Sequence, residues 1–192
     1  MNTYTLNLDA AIELTDEQFY SLCRNNPDLK FERNAQGELI IMPPTGGETG
    51  RRNLKISQKL GIWTDQDGTG VAFDSSTCFK LPNGAQRSPD ASWVQQQRWD
   101  ALTLQLRETF PPISPDFVIE LMSLSDTLKT VQAKMQEYLE NGAKLGWLIN
   151  RKDRQVEIYR PAQGAEMLQS PTSLSGEIIL PGFVLDLEAI WV

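Results

Sequence analysis

The chain has 192 residues, 18 basic and 25 acidic side chains for a net charge of −7, and 40% apolar content against 22% charged, which predicts a single globular domain over residues 1–192 with an ordinary core. It contains no histidine, which excludes His-based acid–base catalysis, Ser-His-Asp and Cys-His nucleophile pairs, and zinc sites that need imidazole. Cys23 and Cys78 are too few for a four-thiolate site and show no CxxC spacing, so they read as two reduced thiols. The N-terminal run from Met1 to Asp9 lacks a charged segment followed by a long apolar one, and no stretch approaches a membrane span, so a soluble cytoplasmic protein that does not enter a membrane is expected. The acidic balance argues against gripping nucleic acid by bulk charge, although carboxylates that hold a cation count as negative in that sum.

Thr15-Asp16-Glu17 ahead of Phe19, Tyr20, Leu22 and Cys23 predicts a capped short helix. Phe31 to Asn34 and Glu38 to Met42 form a hairpin around Ala35-Gln36-Gly37, where Gly supplies a positive φ. Pro43-Pro44 breaks that strand, and Leu54, Ile56, Leu60, Ile62 and Trp63 predict a helix from about Thr49 to Asp65. Gly70 to Phe73, Thr77 to Lys80 and Ala91 to Val94 read as strands, residues 95 to 115 as an inserted short helix and loop, and Phe117 to Met122 as a buried strand. Leu128, Val131, Met135, Tyr138 and Leu139 then mark a helix that stops at Gly142. Trp147 to Ile149 and Val156 to Arg160 end the sheet, and the tail, Glu177 to Leu180 and Pro181 to Leu185, reads as extended.

Within the run Phe117 to Met122, period-two alternation sets Val118, Glu120 and Met122 on one face and Phe117, Ile119 and Leu121 on the other. Glu120 therefore projects from an apolar strand, where a carboxylate needs a cation, an ion pair or a hydrogen-bond network. Asp90 opens a strand after Pro89; taken alone it reads better as a turn acid than as a ligand. Lys134 lies one helical turn before Tyr138, at the margin of the apolar stripe, where a snorkelling lysine is as good a reading as a functional one. Two carboxylates and an amine form the constellation of metal-assisted hydrolysis, since a hard divalent cation such as Mg²⁺, with Mn²⁺ as substitute, takes oxygen ligands and activates water. Glu48 need do no more than favour a helix N-terminus. Arg51, Arg52, Lys55 and Lys59 form the dense basic cluster, either a solvated face or a seat for a phosphate backbone.

The order of a helix with Glu48, a strand with Pro89-Asp90, a strand with Glu120 and a helix with Lys134 resembles the PD-(D/E)xK nuclease superfamily. From Leu14 onward the chain is similar to its Uma-two family of restriction-endonuclease-like proteins. The likeness rests on Met42-Pro-Pro-Thr-Gly-Gly-Glu48, Arg87-Ser-Pro-Asp-Ala-Ser-Trp-Val94, Pro115-Asp-Phe-Val-Ile-Glu-Leu121, Lys134-Met-Gln-Glu-Tyr138, Gly146-Trp-Leu-Ile149, Val156-Glu-Ile-Tyr-Arg-Pro161 and Leu180-Pro-Gly-Phe183. It implies an α/β (α+β) restriction-endonuclease-like core, a central mixed β-sheet flanked by helices, with an N-terminal helix and hairpin. It also implies Asp90 and Glu120 as Mg²⁺ ligands, Glu48 as a further acid, Lys134 as the catalytic lysine, DNA as substrate, and a homodimer as one allowed assembly. Two positions depart from the pattern. Met122 stands where the superfamily lysine would follow the second acid, so Lys134 must reach in from its helix, and Leu124 stands where the family usually places Pro. The two functional readings are a Mg²⁺-dependent endonuclease and a catalytically inactive module that binds nucleic acid or a protein partner.

Overall fold

A computed structural model describes residues 3–8, 12–123 and 126–192. In chain order its elements are β1 (Tyr4–Leu6), α1 (Asp16–Asn25), β2 (Lys30–Arg33), β3 (Leu39–Met42), α2 (Gly47–Asp67), β4 (Gly70–Asp74), β5 (Phe79–Lys80), β6 (Gln86–Arg87), β7 (Ala91–Gln95), α3 (Gln96–Asp100) and α4 (Leu104–Arg107). They continue with β8 (Phe117–Leu121), α5 (Leu128–Glu140), β9 (Leu145–Asn150), β10 (Gln155–Tyr159), β11 (Glu166–Gln169), β12 (Ser173–Ser175), β13 (Val184–Asp186) and α6 (Glu188–Trp191). Local chemistry fixes several boundaries. Thr15 and Gln18 cap α1 reciprocally, each side chain bonded to the other's backbone N–H, which satisfies donors the helix itself leaves open. Gly37, at φ 84, turns the β2–β3 hairpin, and Gly142, at φ 103, ends the α5 segment, conformations in which a Cβ would be strained.

The central sheet runs β11-β10-β9-β8-β7-β4. Its β8–β9 pair is parallel and its other pairs antiparallel, so α5 is the crossover that a parallel connection requires. Each face of β8 meets a different helix. Phe117, Ile119 and Leu121 pack with Ile56 and Leu60 of α2, whereas Val118 packs with Met135 and Tyr138 of α5. The predicted alternation holds, and it delivers Glu120 to the α5 side.

A second sheet, β1-β3-β2-β6-β5, is built around the hairpin, and β12 pairs with β13. Phe19 of α1 packs with Phe31, Leu39 and Cys78 beneath that second sheet, and neither cysteine is in a disulfide. The segment from β6 to β7, Ser88 to Asp90, joins the two larger sheets, so side chains on either side of it belong to different walls of one cleft. The expected central mixed sheet with an N-terminal helix and hairpin is present, and the hairpin is itself part of the second sheet. The strand expected at Glu177 to Leu180 is a turn, closed by Leu180 N–H to Gly176 O at 2.9 Å and Phe183 N–H to Leu180 O at 3.0 Å. Leu180 and the following Phe183 bury against the α2 side of the core and Ile179 packs on its edge, whereas Ile178 is exposed. β11 is an edge strand with exposed or half-exposed side chains, without the alternation that betrays a half-buried strand. Leu124 lies outside the described residues. Among the described residues no helix is long and apolar enough to cross a membrane.

Candidate active site

Asp90 sits where β7 begins, beside the C-terminal end of β8, because Ala91 pairs with Ile119. Its Oδ2 accepts from the Leu121 backbone N–H at 2.9 Å and its Oδ1 from Asn53 Nδ2 at 2.8 Å. The carboxylate thereby ties β7, β8 and α2 together. Glu120, one residue before Leu121, accepts the Tyr138 hydroxyl at 3.0 Å and lies 2.9 Å from Lys134 Nζ, both at Oε1. Lys134 and Tyr138 are one turn apart on α5, so one helix face delivers both donors to the same oxygen. The other Glu120 oxygen, Oε2, makes no hydrogen bond among the described residues.

A third acid completes the arrangement. Glu32 of β2, 2% exposed, accepts from Lys134 Nζ at 2.8 Å and Ser88 N–H at 2.9 Å through Oε1, and from Arg87 Nη1 at 3.1 Å through Oε2. Arg87 Nε also donates to Glu137 Oε2 at 2.6 Å. These groups border a cavity of about 930 Å³ between the hairpin, the start of α2 and the N-terminal half of α5. Among the described residues, six carboxylates and four basic side chains line it, an excess of negative charge that favours a cation.

The electrostatics follow from that crowding. Burial, with repulsion from Asp90 and Glu32, pushes the Glu120 carboxyl up to about 7 against the pull of Lys134. Burial likewise raises Asp90, with Lys30, the Leu121 N–H, Lys134 and Asn53 opposing. Burial acts in the same sense on Glu32, but Lys134 and Arg87 overcome it and hold that carboxyl at about 2. Burial disfavours the Lys134 ammonium, yet Glu120 and Glu32 keep its pKa well above the ordinary lysine range. Lys134 is therefore a permanent cation near neutral pH.

The structure brings three of the four expected residues together, Asp90, Glu120 and Lys134, and leaves Glu48 aside. Glu48 faces Arg51 and Arg52 with most of its side chain in solvent and does not line the cavity. The α2 face turned to the site carries Thr49 and Asn53, one position round from the face shared by Glu48 and Arg52. The basic cluster divides too. Arg52, 2% exposed, donates to the Ile190 carbonyl at 2.9 Å, to the Glu48 carbonyl at 2.8 Å and to the Val192 carbonyl, so it fastens α6 to α2. None of Arg51, Arg52, Lys55 and Lys59 lines the cavity. Arg52→Ala is expected to lower stability by about 2–4 kcal/mol, the scale of several charge-assisted hydrogen bonds lost from a buried position, and to leave nucleic-acid affinity unchanged. Urea melts and an oligonucleotide titration check both halves.

Asn53, Glu32 and Arg87 were not singled out by the sequence. Arg87 belongs to the Arg87-Ser-Pro-Asp90 motif, which could have flagged it. Glu32, flanked by Phe31 and Arg33 in a short hairpin, carries no such signal. Met122 bonds through its N–H to Ile149 O at 2.9 Å and packs against the α5 side of the core, so a thioether fills the position from which a strand-borne lysine would project.

Among the described residues no group of three or more Cys, Asp or Glu side chains gathers as a metal cage. Mg²⁺ does not require one, because it binds through one or two carboxylates and keeps several waters. The pair Asp90 and Glu120 fits that need: two carboxylates, one half-buried and one buried, stand in a cavity with an excess of acids, and Lys134 is the cation beside Glu120.

Residues 16–188 match the Uma2 family, described as "Putative restriction endonuclease". No curated protein matches the chain. Among solved structures, the crystal structure of a "putative nuclease belonging to DUF820" from Anabaena variabilis aligns with a TM-score of 0.72 at 20% identity, over 84% of this chain and 89% of that one. The likeness shows the fold, a restriction-endonuclease-like core.

Proposed function

The chain belongs to the Uma2 family of restriction-endonuclease-like proteins, and from that premise we propose that it is a Mg²⁺-dependent endonuclease that hydrolyses phosphodiester bonds in DNA. Asp90 and Glu120 would hold the metal, which when bound supplies an activated water and stabilises charge on the phosphoryl oxygens. The supporting observation is the 2.9 Å approach of Lys134 Nζ to Glu120 Oε1, in the same cavity that Asp90 lines. Because Glu120 and Glu32 keep Lys134 charged, its role is that of an electrostatic partner. It orients the attacking water or the phosphate and stabilises the negative charge that builds as the bond breaks; it does not take a proton as a base. Asn53 and the Leu121 N–H aim Asp90, and Tyr138 with Lys134 aims Glu120, so the two acids are set before a ligand arrives.

Incubation of supercoiled and linear DNA with the purified protein, with Mg²⁺, Mn²⁺ or chelator, tests this reading. Cation-dependent cuts that vanish in Glu120→Gln are the expected result. Binding of DNA or of Mn²⁺ without cleavage by the wild type would instead give the protein the role of an inactive binding module.

The metal affinity should depend on pH with a defined sign. Glu120 must lose its proton to ligate a cation, and its carboxyl is held at about 7. Mn²⁺ affinity is therefore expected to rise about tenfold per pH unit up to about 7 and to level off above it. The same raised pKa means that this group's contribution to metal-free stability falls as pH climbs from the ordinary glutamate range towards about 7. Calorimetric titrations on either side of neutrality measure the slope, and a flat profile would mean that Glu120 ligates nothing.

A further inference from the structure

We infer that Glu32 is the positioning residue for Lys134, supplied by the N-terminal sheet to do what the β8 strand would do for a lysine at position 122. The inference rests on the nuclease reading of the site above. A lysine at position 122 would be aimed by the strand itself, on the same face as Glu120. Lys134 comes instead from α5 on a flexible four-carbon stem, and its position must be fixed by contacts, at a cost in side-chain entropy. Glu120 alone cannot fix it, because a cation bound at Glu120 competes with the ammonium for the same negative charge. Glu32 has no such competition.

Both Glu32 oxygens are committed, Oε1 to Lys134 Nζ at 2.8 Å and Ser88 N–H at 2.9 Å, and Oε2 to Arg87 at 3.1 Å. The ammonium and guanidinium already facing this carboxylate repel a further cation, which separates it from Asp90 and Glu120 and makes it an anchor rather than a metal ligand. Arg87 is in turn held by Glu137 at 2.6 Å, one turn along α5 from Lys134. The chain of contacts Lys134, Glu32, Arg87, Glu137 therefore starts and ends on α5. Burial of Glu32 at 2% exposure shields these pairs from solvent screening. A purely structural pair would do better as packed apolar groups, since buried ion pairs contribute little net stability.

The test uses Glu32→Gln, which keeps the shape and removes the charge, and Glu32→Asp, which keeps the charge one methylene short. In Glu32→Gln the Lys134 ammonium resonance, slow to exchange while hydrogen-bonded and identified by its absence in Lys134→Met, should be lost from nitrogen-15 spectra of the protein saturated with Mg²⁺. On DNA with Mg²⁺, kcat should fall about 10²-fold while KM and the Mn²⁺ Kd stay within about threefold of wild type, with part of the rate recovered in Glu32→Asp. Retention of the resonance, an unchanged kcat, or a Mn²⁺ Kd that weakens together with kcat would each overturn the positioning role. If Glu32→Gln loses its fold by circular dichroism, Glu32→Asp decides alone: a lower kcat at constant KM supports the role and an unchanged kcat overturns it. A wild type that never cleaves would remove the nuclease reading itself, an outcome distinct from a wild type and a Glu32→Gln variant that cleave alike.

Discussion

Glu120→Gln is expected to weaken Mn²⁺ binding by at least about 10²-fold, beyond the loss typical of removing a mere supporting contact around a metal, while the metal-free protein melts no earlier than wild type. The two halves share one cause. The carboxylate that a cation needs is one that the fold holds at a cost, because burial beside Asp90 and Glu32 has already pushed its pKa up to about 7. An amide of nearly the same shape removes that cost and still accepts a hydrogen bond from Tyr138 or Lys134. Thermal melts with and without Mn²⁺ separate the effects, since a ligand that binds only the folded state raises the melting temperature by an amount that grows with the logarithm of its affinity. The wild type should be stabilised by Mn²⁺ above pH 7 and the variant should not. Equal stabilisation of both would remove Glu120 from the ligand set, and a large loss of metal-free stability would mean that its charge serves the fold.

Lys134→Met should have the opposite pattern: a stability loss, retained metal binding and a rate reduced about 10²-fold or more, the scale of losing one electrostatic stabiliser from a preorganised site. The side chain is 15% exposed and its partners Glu32 and Glu120 only 3% and 9%, so its removal leaves two buried carboxylates short of a counter-ion. Such a break costs roughly 3–5 kcal/mol. Glu120 can relieve part of that by taking a proton, which makes the loss smaller below pH 7 and larger above it. Glu32 retains Arg87. Denaturant melts across that range, paired with calorimetric titration and cleavage rates, read all three quantities. Full stability with undiminished turnover would return Lys134 to the role of a solvated surface cation.

Much of this site was legible in the sequence because its signals are local. Glu120 stands out by being the charged position in the apolar run Phe117 to Met122, and period-two alternation put it on the face where α5 now lies. Lys134 and Tyr138 stand out by helical spacing, and Asp90 by the Pro89-Asp90 dipeptide. Glu48 was carried over with the family pattern, yet on α2 one position is about 100° of rotation, enough to turn its side chain to Arg52 and leave the site to Asn53. Glu32 was invisible for another reason. Alternating Phe31, Glu32 and Arg33 reads as a hairpin with a solvated face, and the acid is buried only because α5 and the β6 end meet over it. The segment Glu177 to Leu180 misled by having an apolar pattern without strand pairing, since nothing in a run of three apolar residues distinguishes a ladder from a turn.

The groups of this site are scattered far along the chain, so the site can assemble only when distant parts of the chain have come together. The contact between Glu32 and Lys134 joins residues 102 apart in sequence, and contacts of such separation carry the largest loop-closure penalty and form slowly. Within the β8–α5–β9 unit, whose parts are neighbours in sequence, Glu120, Lys134 and Tyr138 meet through short-range contacts, whereas the second partner of the ammonium, Glu32, is in place only once the N-terminal sheet has docked. Docking of that sheet therefore also completes the candidate site. A nascent or partly unfolded chain would carry its acids and its lysine without the alignment that the proposed cleavage needs.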